Sequence, residues 1–279
     1  MIKYIFIICL ILFILIINYK YKENYKNYIP NIIYKTGPFN KITNNEILKV
    51  FENNEEKLNG KIKYFNDKQR YNFIKTNFDK DVLKAYSMLI PGAYKADLWR
   101  LCVLYKNGGI YSDLTQQFLK NIDIHKEDYD LLFIRDRLTY GGDGGIANGF
   151  IVSKKNNLFL KYCINELTKQ ILNKDKGNTP LDITGPNAIK RHFCKYFNVD
   201  KIDLGTKKLK GLDNIKYIVS IPYYFSEEGE YFKDINNNNI VKGKLKNSHE
   251  LLYSNFNKQN YHEDWHNNNI FRYIYINNL

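Results

Sequence analysis

The chain has 279 residues and 33.2 kDa, with 44% hydrophobic, 25% charged and 15% aromatic residues, which excludes a disordered chain. Four scattered cysteines exclude a disulfide scaffold. The net charge of +13 accompanies heavy use of Lys, Asn, Ile, Tyr and Phe, residue types that AT-rich codons encode; no block of consecutive basic residues appears, so no nucleic-acid partner is inferred.

Residues 1–28 come first. An unbroken apolar run from Ile5 to Ile17 lies between Tyr4 and Tyr19, long enough to cross a thin bilayer as a helix. No small residue follows it in Tyr19-Lys20-Tyr21-Lys22-Glu23-Asn24, so an uncleaved single-pass anchor is favoured over a signal peptide. Lys20, Lys22 and Lys26 after the run against Lys3 before it place the large domain on the cytoplasmic side. Cys102, Cys163 and Cys194 are an odd set, and no Asn-x-Ser/Thr acceptor occurs; both agree with that side.

Residues 29–279 read as one domain. Strands are expected at 31–35 and 61–65, helices near 69–77 and 91–106, and strands at 109–114, 130–134 and 149–152. Helices over about 158–172 and 186–196 cover them. Alternating strands and helices predict an α/β fold with a mostly parallel sheet and a ligand beyond the carboxyl ends of its strands.

The chemistry concentrates between Pro91 and Thr115. Pro91 opens a helix of about four turns, and Gly108 falls where a left-handed cap belongs. Asp97 and Arg100, three apart, share a helix face. The chain then turns through Gly108-Gly109 into a short strand with Asp113 at its carboxyl end. Each residue alone is an ordinary surface pair or turn residue. Together they put an acid, a guanidinium and a second acid around one helix–Gly-Gly–strand unit.

That unit resembles the signature of family 32 glycosyltransferases, a helix with S-D-x-x-R followed by L-x-x-x-G-G-x-Y-x-D-x-D. Asp97 and Arg100 match the first part and Gly108, Gly109, Tyr111 and Asp113 the second, with Ala96 in place of the serine. Weaker matches are Ile29-Pro30-Asn31-Ile32-Ile33-Tyr34, leading to Thr36, and Ala147-Asn148-Gly149-Phe150 with Ser153-Lys154. Thr184-Gly185-Pro186 and a closing loop around Trp265 complete them. The resemblance implies a Rossmann-like GT-A domain, a UDP- or GDP-sugar donor, a glycan, lipid or protein acceptor, and retention of anomeric configuration. By carry-over Asp97 and Arg100 hold donor-sugar hydroxyls and Asp113 contacts the ribose and the metal region. Thr36, Tyr111, Asn148 and Trp265 complete the substrate site. Most anchored enzymes of this kind face a lumen, which leaves the membrane side open.

The family's second acid, its direct ligand for Mn²⁺ or Mg²⁺, is Thr115 here, a poor substitute on a hard cation. Three outcomes follow. Asp113 takes over the metal with His262, Glu263 and Asp264 beside Trp265; the cation is held through phosphates and water; or catalysis is lost and a sugar- or nucleotide-binding protein remains. Gly141-Gly142-Asp143-Gly144-Gly145 is expected to be a loop lining the donor pocket, with Asp136 or Asp143 facing an acceptor.

Overall fold

The computed structural model describes residues 10–13, 28–136, 144–226, 230–244 and 260–274. Among these no helix is long and apolar enough to cross a membrane, and the expected anchor lies outside them except at 10–13 and 28.

Strand β1 (Ile32–Thr36) leads to helix α1 (Asn45–Lys57), β2 (Lys61–Phe65), α2 (Asp67–Asn77), α3 (Lys80–Met88) and α4 (Gly92–Asn107). Then come β3 (Gly109–Ser112), β4 (Gln117–Phe118), β5 (Leu131–Arg135), β6 (Ile146–Ser153), α5 (Leu158–Leu172) and α6 (Pro186–Phe197). The last part comprises β7 (Gly205–Lys210), β8 (Lys216–Phe225), β9 (Tyr231–Asp234), β10 (Asn239–Lys242) and α7 (Tyr261–His266).

The ten strands of the described residues form one sheet, in the order β2-β1-β3-β6-β5-β8-β9-β10-β4, with β7 also paired to β8. The expectation of a mostly parallel sheet is corrected. Only β1–β2, β1–β3 and β5–β8 pair in parallel; the other six pairings are antiparallel. The physical reason lies in the connections. A parallel pair needs a crossover, usually a helix, whereas among the described residues no helix stands between β5 and β6 or between successive strands from β7 to β10.

The central strands β3, β5 and β6 are buried along almost their whole length because both faces are covered. On β5, Leu131 and Phe133 pack under α3–α6, while Leu132 and Ile134 pack on the opposite face with Phe118, Phe150 and Val152. The turn from α4 into β3 requires its two glycines. Gly108 and Gly109 have φ of 68° and 104°, and a Cβ on either would come within 2.8 Å of neighbouring backbone.

Strands β1, β2, β3, β5 and β8 run the same way, and β6 runs against its neighbours β3 and β5. The carboxyl ends of the first set and the start of β6 therefore meet at one edge of the sheet, and the functional residues gather there.

Candidate active site

At that edge a cleft of about 560 Å³ opens, lined by Asp97, Arg100, Asp113, Gln116, Asn148 and Gly149 on one side. Tyr94, Pro180, Pro186, Phe225, Lys244 and His262 contribute further wall. Helix α4 delivers Asp97 and Arg100 one turn apart, and the end of β3 delivers Asp113. The Arg100 guanidinium joins them, with Nη2 2.9 Å from Asp97 and 3.4 Å from Asp113. It lies 4.3 Å over the Tyr111 ring and donates through Nη1 to the Asn148 carbonyl. Tyr111 donates its hydroxyl to Asp113 Oδ1 (2.8 Å), and Thr184 donates to the other Asp97 oxygen (3.0 Å). The Thr184-Gly185-Pro186 turn thus belongs to the site.

Burial governs the electrostatics. It lifts the Asp97 carboxyl to about 6, against the pull of Arg100 and the hydrogen bond from Thr184. Burial opposes charge on Arg100 as well, but Tyr111, Asp97 and Asp113 outweigh it and the guanidinium is held more firmly protonated than usual.

Three supports were not read in the sequence. Lys35, fully buried at the end of β1, donates to the Asp113 carbonyl (2.8 Å) and to Ser112 Oγ (3.2 Å); burial lowers its ammonium to about 7, with Asp113 pulling the other way. Asn54 of α1 donates to the Gln116 carbonyl (2.7 Å) and accepts from the Phe118 amide (3.0 Å), which clamps the 113–118 turn. Gln116 reaches the cleft itself. The run Ile32–Thr36 was read as a strand leading to Thr36 and gave no signal for Lys35, and Asn54 lay in a helix that was not expected. Gly149 has a sharper role. The Asp113 amide donates to its carbonyl (2.9 Å), and a Cβ there would stand 2.7 Å from Asp113 Oδ2 and 2.8 Å from Gln116 Nε2.

Other expected site residues lie elsewhere. Thr36 is buried and donates to the Phe65 carbonyl between β1 and β2. Ser153 and Lys154 are at the far end of β6, where Lys154 pairs with Asp128 and Asp130. Trp265 donates to the Lys176 carbonyl (3.0 Å) under the Lys176 ammonium, and is not part of the cleft wall. Asp136 lines the cleft; Gly141, Gly142 and Asp143 lie outside the described residues.

The three converging charges sit on one helix–Gly-Gly–strand unit, inside a segment that matches a known family model. Residues 39–132, about a third of the chain, match the family model described as glycosyltransferase sugar-binding region containing DXD motif. Among solved structures, one titled PaToxG Glycosyltransferase is similar over 60% of this chain and 69% of that chain, with 16% identity and a TM-score of 0.47. No curated protein matches the chain.

A DXD region commonly carries a divalent cation, and the residues here do not build a centre for one. Thr115 is buried outside the cleft wall, and Asp113 Oδ1 is already engaged by Tyr111 and Arg100. The expected helpers do not converge. His262 reaches the cleft, Glu263 is exposed and accepts from Asn260, and Asp264 is buried, accepting from Asn269. Among the described residues no three His, Cys, Asp or Glu side chains are grouped to hold a metal. Asp113 and Asp136 are the carboxylates at the cleft wall, besides the Arg100-paired Asp97, that face a cation brought in by a diphosphate.

Proposed function

We propose that the chain transfers a sugar from a UDP- or GDP-sugar to a glycan, lipid or protein acceptor, with retention, on a GT-A type domain. The observation that carries this reading is the Asp97–Arg100–Asp113 array at the carboxyl edge of the sheet, with Arg100 buried, Asp97 nearly so and Asp113 open to the cleft. In this reading Asp97 accepts hydrogen bonds from donor-sugar hydroxyls, and Arg100 fixes the orientation of both acids. Asp113 meets the ribose, and Asn148 borders the sugar. Breaking the bond to the diphosphate leaves negative charge on the leaving group, and Lys244 at the cleft wall supplies positive charge toward it. No step is assigned to a protein-held metal.

The buried Thr115 favours a second reading, a protein that binds a sugar nucleotide without turning it over. One experiment separates them. The full-length chain is incubated with a panel of UDP- and GDP-sugars, with Mn²⁺, with Mg²⁺ and with chelator, and nucleotide release is followed beside calorimetric binding. Release from one donor that disappears in Asp113→Ala supports transfer, and the cation arms read whether a donor-borne metal is required. Binding without release supports the second reading. Absence of both overturns the site.

A further inference from the structure

The hairpin of β7 and β8 lies at the end of the sheet opposite the cleft, since β8 starts at Lys216 and ends at Phe225 in the cleft wall. Its tip, 211–215, is a built turn. Gly211 N donates to the Ile215 carbonyl (3.0 Å) and Asn214 N to the Gly211 carbonyl (3.0 Å), with Asn214 left-handed at φ 63°. Asp213, the tip's acid, is tied inward, accepting from the Tyr217 hydroxyl (2.9 Å) and the Ile215 amide (3.2 Å). Tyr217 in turn meets Tyr196 of α6 (3.0 Å). The two aliphatic side chains are left outside, Leu212 58% and Ile215 48% exposed.

Behind this tip the lysines gather. Lys210 stands directly opposite Lys216, and Lys208 stands two residues back on the same face, opposite Ile218. Lys207 is exposed on the same strand. None of these four makes an ion pair among the described residues. Lysines on an edge strand guard against pairing with another chain, which accounts for Lys207 and Lys208. It does not account for two exposed aliphatics at a rigid tip, nor for like charges facing each other across the ladder, an unfavourable arrangement without an anionic partner.

We propose that this hairpin docks on an anionic phospholipid surface. Leu212 and Ile215 enter the boundary between headgroups and acyl chains, while Lys208, Lys210 and Lys216 meet the lipids' anionic groups. An aliphatic tip suits that boundary. A single-stranded nucleic acid calls for exposed aromatic rings to stack on, and Tyr217, the hairpin's aromatic nearest the tip, is buried.

The test uses the full-length chain with Leu212→Trp and vesicles of brominated phosphatidylcholine, with and without phosphatidylserine. The substituted chain gains quenching over the unsubstituted one only with phosphatidylserine present, and the gain fades as salt rises. Each lysine contributes about fivefold to such binding, so Lys208→Gln with Lys210→Gln and Lys216→Gln weakens it about a hundredfold, with circular dichroism unchanged. Equal quenching on neutral vesicles, no gain at position 212, or unchanged affinity in the triple variant overturns the proposal. So does capture of the hairpin by single-stranded RNA with vesicles ignored. A chain held to vesicles by its first 28 residues alone shows no gain at 212 and therefore counts against the hairpin.

Discussion

Two segments of this chain carry acids beside an aromatic residue, and they end up differently. In 97–113 the acids are sixteen positions apart, yet one guanidinium touches both, because a helix turn and a strand end meet at the same sheet edge. In 262–264 the groups are consecutive, and they scatter: one to the cleft, one to solvent, one inward. Successive positions on a helix point about 100° apart, so neighbours in sequence diverge, whereas positions three apart share a face. Convergence comes from where elements end, and nearness in sequence does not produce it.

The largest effect is expected at the first segment. Arg100→Met leaves Asp97 buried without its cation and costs about 3–5 kcal/mol by chemical denaturation, with donor binding lost. A cost below about 1 kcal/mol would break the contrast between the segments. Thr115→Asp puts a carboxylate in a buried place, and lowers stability by about 2–4 kcal/mol with no gain in turnover. If turnover rises instead, residue 115 reaches the cleft after all.

Gly149→Ala is gentler. Its methyl must displace the Asp113 carboxylate or the Gln116 amide, so calorimetry with the preferred donor should read about tenfold weaker binding, near 1.4 kcal/mol. The pH dependence is smaller again. Asp97 is held up at about 6, so it is ionised above that and protonated below; donor affinity is flat from pH 7 upward and falls about fourfold by pH 5.5. Asp97→Asn removes that acid limb. Glu263→Gln changes stability by less than about 0.5 kcal/mol and turnover by less than twofold, and a large loss would restore α7 to the site.

The helix–Gly-Gly–strand unit was legible because its signals are local: a proline at the start, two glycines whose φ values demand them, and charges at helix spacing. The five strands expected up to residue 152 are present, with ends shifted by a few residues. Helices α1 and α3 escaped notice although Asn44 and Asp79 cap them, since their apolar faces are short. Strand β7 escaped because the run Gly205-Thr206-Lys207-Lys208-Leu209-Lys210 shows no apolar alternation, whereas β8 carries a β-branched and aromatic run that was open to reading. Lys35 and Asn54 carry no sequence signal of their role. Each acts through a contact made dozens of residues away, and only the closed fold brings the partners together.

Strand β8 also acts as a ruler. Its ten residues reach from the lysine pair to the cleft wall, about 33 Å of extended chain. A molecule resting on its hairpin would open its cleft toward water at roughly that height, which would favour acceptors that stand clear of the bilayer, a glycan antenna, a lipid-borne glycan or a protein loop, over the bare headgroups beneath.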